Sequence, residues 1–227
     1  VIRALLFDAA GTLLEPTESV ADTYARHFCE QGWEIGPAAV REAFPRIFRE
    51  SGEPDYSDRP CGDLVERNWW RGLVFRTMLA CGVDPAADVA RADDCFERLF
   101  AFYGRGEAWR VFPEVVGVLA AAGREGLRLA VVSNFDRRLH RILAELGLDF
   151  EFVLTSADAR ARKPDPAIFR LALARLELRP EEVRHAGDCL VADIAGARAA
   201  GIGAFHLERP RNDLGDFLRQ VLAAGRK

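Results

Sequence analysis

The chain has 227 residues, enough for one large domain or a domain with a substantial insertion, so no second independent domain is required. Its net charge of −4, from 31 basic and 35 acidic residues, gives no electrostatic footprint for nucleic acid and argues against a membrane-surface role. Cys29, Cys61, Cys81, Cys95 and Cys189 form no close pair, no stretch is apolar enough for a membrane span, and no leader is expected before the first strand, which together predict a cytoplasmic protein with reduced thiols.

The apolar run Ile2 to Phe7 predicts an opening strand that delivers Asp8 to the turn Asp8-Ala9-Ala10-Gly11-Thr12. A carboxylate at a strand's carboxyl end beside a glycine turn is where open α/β sheets put chemistry, as nucleophile or metal ligand. The plain alternative is an Asp that caps the next segment.

From about Glu15 to Gly106 the composition changes to helical spacing, little β-branched character and many aromatics, and this region reads as an inserted helical cap. Tyr24, Phe28, Phe44, Phe48, Trp69, Trp70, Phe75, Phe96, Phe100 and Phe102 are expected to pack as a satellite core, not to stack on a ligand. A loop is predicted over Ser51 to Pro60, and Arg41, Arg46, Arg49, Arg67, Arg71 and Arg76 read as solvated helix faces. No specificity motif is recognisable in this region.

From Leu127 onward strands and helices alternate: strand Leu129 to Val132, helix Arg137 to Leu146, strand Phe152 to Thr155, helix Pro166 to Leu176, strand Val183 to Ala186 and helix Ala192 to Ala200. Such alternation predicts an α/β fold, a Rossmann-like parallel sheet covered on both faces, joined by the opening strand. The expected domains are therefore 1–14 with 107–227 as the α/β core, and 15–106 as the cap. Gly147, Gly201 and Gly203 are expected just past helix ends.

These later segments also carry polar clusters at expected strand ends: Ser133-Asn134, then Lys163 within Arg162-Lys163-Pro164-Asp165-Pro166, then Asp188 with Asp193 five residues on. Lys163 is informative because the chain has only one other lysine, Lys227, against 29 arginines. A compact ammonium is retained where a guanidinium would not fit; the bland reading is an exposed Lys-Pro turn. Asp193 also has a plain reading as a helix cap, and Ser133 and Asn134 could be turn residues. Cys189 follows Asp188, but no base lies within sequence reach of its thiol, so it is not assigned to catalysis.

The ordered set of Asp8, Ser133, Lys163 and the pair Asp188/Asp193 resembles the haloacid dehalogenase superfamily, whose four motifs are a nucleophilic Asp, a Ser/Thr, a Lys and a final acidic pair. Within it, the run Gly126 to Leu139, the paired Trp69-Trp70 and the run Phe152 to Ser156 are similar to the group named haloacid dehalogenase-like hydrolase domain-containing protein three. The resemblance implies catalysis by Asp8, Ser133 and Lys163, and phosphate binding by Gly11, Thr12, Ser133, Asn134 and Lys163. It also implies a metal held by Asp8, the Ala10 carbonyl, Asp188 and Asp193. An all-oxygen donor set points to Mg²⁺, not zinc. The implied partner is a small phosphorylated metabolite, chosen by the cap.

Position 10 departs from the pattern. Phosphatases of this superfamily usually carry a second Asp there, which protonates the leaving group and then activates water; Ala10 does neither, and the loss of a general acid/base costs about 10²–10⁴ in rate. The expectation is a slow Mg²⁺-dependent phosphoester hydrolase working through an aspartyl-phosphate at Asp8, with a catalytically weakened phosphate- and metal-binding regulator as the alternative. Phosphonoacetaldehyde hydrolases also have Ala there but need a cap lysine, which this chain lacks. Haloacid dehalogenases carry an aromatic residue there and work without metal, against which Ala10 and the Asp188/Asp193 pair both argue.

Overall fold

A computed structural model describes residues 1–57 and 61–225. In chain order it contains β1 (Ala4–Phe7), β2 (Leu14–Pro16), α1 (Val20–Glu30), α2 (Pro37–Glu50), α3 (Gly62–Ala80), α4 (Val89–Phe102), β3 (Trp109–Val111) and α5 (Val115–Arg124). There follow β4 (Arg128–Ser133), α6 (Arg138–Glu145), β5 (Phe152–Thr155), α7 (Ser156–Ala159), α8 (Pro166–Leu176) and β6 (Val183–Gly187). A π-helical turn (Leu190–Ala195) then runs into α9 (Gly196–Ala199), and β7 (Gly203–His206) and α10 (Leu214–Gly225) complete the chain. It divides into two compact units, 1–15 with 110–227, and 16–109.

The first unit is built on a parallel five-stranded sheet of order β5-β4-β1-β6-β7. All four residues of β1 are buried, because helices cover both faces and leave no position for a polar residue. Ala4 and Leu6 pack on one face with Ala130, Val132, Ile168, Phe169 and Ala197. On the other, Phe7 meets the edge of Phe217 from α10, ring centroids 5.9 Å apart. From β1 the chain winds outward through β4 and β5, then crosses back to β6 and β7 on the opposite side. Strand order therefore reverses beside β1, so the crevice at its carboxyl end is the topological switch point.

Local sequence starts the helices of this unit. Asp165 accepts the Ala167 N–H at 2.9 Å and Pro166 occupies the first turn of α8, where its missing N–H costs nothing. Gly147 and Gly201 follow helices with φ of 70° and 81°. Gly203 does not share that role: it opens β7, beside Arg184 of β6. The helix expected over Ala192 to Ala200 starts earlier, at Leu190, and its first six residues are π-helical.

The second unit is helical. Ser19 accepts the Asp22 N–H to start α1, Pro37 starts α2, and Asp88 accepts the Arg91 N–H to start α4. Its core contains Tyr24, Phe28, Val40, Val74, Met78, Phe96 and Leu99, with Phe44, Trp70, Phe75 and Phe100 partly buried against them. Phe48 is 40% exposed and contributes instead to a surface cluster with Trp69 and Trp70. Arg67 and Arg71 pair with Glu97 and Asp93, binding α3 to α4. The loop expected from Ser51 is non-helical through Ser57; residues 58–60, like Lys227, lie outside the described residues. No helix among the described residues is long and apolar enough to cross a membrane.

Candidate active site

Asp8 leaves the sheet directly after β1, its N–H donating to the Ala186 carbonyl of β6 at 2.9 Å. The chain then folds into one tight turn in which the Ala9 carbonyl accepts the N–H groups of Thr12, Leu13 and Leu14 at 3.2, 2.8 and 3.1 Å. Gly11 sits in this turn at φ 85°, and a Cβ there would overlap the Asp188 carboxylate. Gly187 serves the same end on β6, since a Cβ on it would overlap the Asp193 side chain. Two glycines thus let backbone and carboxylates approach closely.

Lys163 does not stand at a strand end as expected. It lies in the loop between α7 and α8, eight residues beyond β5, and its side chain runs inward until it is 2% exposed. Its ammonium donates to Asp8 Oδ1 at 2.7 Å, Asp193 Oδ1 at 2.5 Å and the Val132 carbonyl at 3.0 Å. Three N–H donors meet three acceptors, which explains a lysine in a chain that otherwise uses arginine: a flat guanidinium fork cannot satisfy this pyramid. The exposed-turn reading of Lys163 is thereby excluded.

Asn134 fixes that loop. Its amide donates to the Lys163 carbonyl at 2.9 Å and accepts the Lys163 N–H at 2.8 Å, so both ends of the side chain are spent on Lys163 main chain. Ser133 donates to Asp8 Oδ1 at 2.9 Å. Thr12 is buried, its hydroxyl 3.5 Å from Asp188 Oδ1. Asp193 lies within the π-helical turn, not at a strand end, and its Oδ2 accepts the Cys189 N–H at 3.0 Å while Oδ1 takes Lys163 and His185. The Cys189 thiol is exposed and accepts the Ala192 N–H, closing the start of that turn.

Charge is distributed unevenly across this group. Burial pushes the Asp8 carboxyl up, while Lys163 pulls against it and Asp193 adds to it. For Lys163, burial opposes the charge, but Asp8 and Asp193 outweigh it and hold the ammonium above its ordinary value. Burial also opposes ionisation of Asp193, yet Lys163 and His185 win and keep it well below the usual carboxylate range. Asp188 has no cation partner among the described residues: partial burial, then repulsion from Asp8 and Asp193, pushes it up to about 6.

One oxygen from each of Asp8, Asp188 and Asp193 lies within 4.8 Å of the others. Hard oxygen donors at that spacing, with one carboxylate left uncompensated, could hold a divalent cation. Because Asp193 is engaged by Lys163, His185 and Cys189, Asp8 and Asp188 are the carboxylates freer to ligate. Ala10 carries no side-chain acid, and its backbone joins Leu14 in an isolated bridge.

Two residues in this neighbourhood were not picked out from the sequence. His185, fully buried in β6, places Nε2 3.1 Å from Asp193 Oδ1. The clue was a polar ring inside the apolar strand Val183–Gly187, but only the fold shows what it faces. Arg209 reaches the carbonyls of Gly11 and Thr12 from 198 and 197 residues away.

The sequence pattern of the haloacid dehalogenase-like hydrolases matches residues 2–201. The chain is 38% identical to haloacid dehalogenase-like hydrolase domain-containing protein 3 of Danio rerio, over 92% of this chain and 86% of the relative. It is also 38% identical to a phosphoserine phosphatase of Thermus thermophilus, over 92% of this chain and 89% of that protein. Among solved structures, 2-haloacid dehalogenase from Pseudomonas syringae pv. Tomato superposes with a TM-score of 0.60 at 28% identity, covering 91% of this chain and 86% of the other.

Proposed function

The chain belongs to the haloacid dehalogenase-like hydrolase family, and we propose that it is a Mg²⁺-dependent phosphoester hydrolase in which Asp8 is the nucleophile. The observation that carries this reading is the geometry around the Asp8 carboxylate. Oδ1 is held by Ser133 and Lys163, while among the described residues nothing is bonded to Oδ2. One oxygen is anchored and the other is left to react. A buried, poorly solvated carboxylate with an adjacent ammonium pulling against the effect of burial is an activated nucleophile.

In the proposed cycle Asp8 Oδ2 forms a bond to the substrate phosphorus as the P–O ester bond breaks. The leaving oxygen takes a proton from water, since Ala10 has none to give. Water then attacks the aspartyl-phosphate, releasing phosphate and restoring Asp8. Lys163 offsets the charge of nucleophile and phosphoryl group throughout, and Ser133 lies close enough to Asp8 to donate to a phosphoryl oxygen. A bound divalent ion would neutralise further charge on that phosphoryl group. Its holders would be Asp8, Asp188 and the Ala10 carbonyl, with Asp193 behind them.

Both stages lack a positioned acid/base, so turnover is expected to be slow and best for substrates whose leaving group needs no proton. The similarity to a phosphoserine phosphatase supports a small phosphorylated metabolite as substrate. Similarity to haloacid dehalogenases leaves the nucleophile unchanged but not the rest: Asp188 beside Asp8 calls for a cation. The test is p-nitrophenyl phosphate hydrolysis with and without Mg²⁺, by the wild type and Asp8→Asn. Mg²⁺-dependent turnover lost in Asp8→Asn is expected; turnover unchanged in that variant overturns the reading. A second reading, a regulator that binds phosphate and metal without turnover, is favoured by Ala10 alone, and turnover well above background rejects it.

A further inference from the structure

Arg209 follows β7 and lies outside every motif used above. Its guanidinium donates to the Gly11 carbonyl at 2.8 Å and the Thr12 carbonyl at 2.9 Å, pairs with Glu114 at 2.5 Å and stacks on the Phe112 ring 3.8 Å from its centroid. Phe112 is itself tied to the same turn, its N–H donating to the Leu13 carbonyl at 3.1 Å. In the tight turn after Asp8 the N–H groups of Thr12, Leu13 and Leu14 converge on the Ala9 carbonyl, and the Gly11 and Thr12 carbonyls point forward, where Arg209 meets them. Backbone carbonyls shielded from water need a donor, and a guanidinium fork supplies two at once.

We propose that Arg209 is a positioning residue, which clamps the forward carbonyls of the Ala9–Leu14 turn and so fixes where the Ala10 carbonyl and Thr12 stand relative to Asp8 and Asp188. The proposal rests on the reading of that site given above. The coupling to the carboxylates is direct, because Gly11 lies against the Asp188 carboxylate with no room for a Cβ, and the Thr12 hydroxyl is 3.5 Å from Asp188 Oδ1. Movement of the turn therefore changes the spacing of the oxygens that would hold a cation. Arg209 touches none of the reacting atoms; it acts through the backbone.

The test compares wild type, Arg209→Met and Arg209→Lys by amide hydrogen exchange and by Mg²⁺ titration calorimetry on the full chain without substrate. Arg209→Met should speed exchange at Thr12, Leu13 and Leu14 while leaving Leu5 to Phe7 protected, and should weaken Mg²⁺ binding by roughly 10–100-fold, the range seen when supports of metal ligands are removed. Arg209→Lys keeps the charge and one hydrogen bond, so it should restore part of both. Wild-type exchange at 12–14 and wild-type Mg²⁺ affinity in Arg209→Met, with loss confined to unfolding temperature, overturn the proposal. Should Arg209→Met fail to fold, Arg209→Lys and Glu114→Gln decide instead, and wild-type values in both overturn it. A wild type that binds Mg²⁺ without hydrolysing phosphoesters sinks the hydrolase reading and not this one, since exchange needs neither metal nor turnover.

Discussion

Replacing Lys163 by Met tests the buried charge cluster at its centre. The substitution keeps length and apolar volume but leaves the oxygens of Asp8 and Asp193 facing each other within 4.8 Å and without a cation. Two unit charges at that distance repel by about 3–4 kcal/mol at an effective dielectric of about 20, in line with about 3–5 kcal/mol for breaking a buried ion pair from one side. The variant should be less stable by that amount at pH 8. Depriving Asp8 and Asp193 of Lys163 raises their pKa in the folded state, so the folded variant takes up a proton as pH falls and the deficit shrinks towards pH 5. In the wild type Asp193 is depressed, and its contribution persists above the unfolded value near 3.8, so Asp193 gives the wild type no recovery in that window, while the raised Asp188 titrates in both proteins and largely cancels from the difference. Urea unfolding should be followed by far-ultraviolet circular dichroism with hydrogen exchange in β1 and β4. Tryptophan fluorescence is the wrong probe, because Trp33, Trp69, Trp70 and Trp109 all fall in the 16–109 unit. A deficit below about 1 kcal/mol, less than even the usual yield of a hydrogen bond to a charge, or one that does not change between pH 8 and pH 5, refutes the reasoning.

Three further outcomes are expected. Ala10→Asp restores the missing proton donor and should raise turnover by up to about 10²–10⁴, with a larger gain for alkyl phosphates than for p-nitrophenyl phosphate; steady-state kinetics on both substrates reads the difference. Asp188→Asn removes a carboxylate whose raised pKa of about 6 counts against the fold as pH rises through that value. Without metal the variant should therefore be more stable above pH 6 by about 1 kcal/mol after allowance for exposure, or about 2–4 °C. The gain should vanish below pH 4, and Mg²⁺ should stabilise the wild type alone; thermal scans with and without Mg²⁺ check both. His185→Leu removes the Nε2 hydrogen bond to Asp193 and should cost about 1.5–3 kcal/mol, while His185→Gln, which carries an N–H at similar reach, should recover part of it in urea titrations.

Four strands of the parallel core, β1, β4, β5 and β6, were legible as short, mainly apolar runs bounded by turns, with Asp8 and Ser133 at the ends of two of them, whereas β7, the four residues Gly203–His206, was not read as a strand. Lys163 was legible by composition, as one of two lysines against 29 arginines, although its place in a loop was not: the polar segment 160–165 carries no periodicity from which its path could be read. The inward reach of its side chain depends on Asn134, twenty-nine residues away, whose amide is spent on the Lys163 backbone. Arg209 and His185 were hidden for the same reason. Each acts through contacts made by the third dimension, and neither helical nor strand spacing records a pairing across 198 residues or one from a strand to the turn that follows it.

The central claim is that Asp8 becomes phosphorylated, and rapid-quench trapping with p-nitrophenyl phosphate and Mg²⁺ tests it most directly. Because the second stage lacks an acid/base at Ala10, the aspartyl-phosphate should accumulate: about one phosphoryl group per chain, mapped to the peptide containing Asp8, dependent on Mg²⁺ and absent from Asp8→Asn. Sustained Mg²⁺-dependent turnover with no phosphoryl group trapped on that peptide, or the same turnover in Asp8→Asn, would contradict the account.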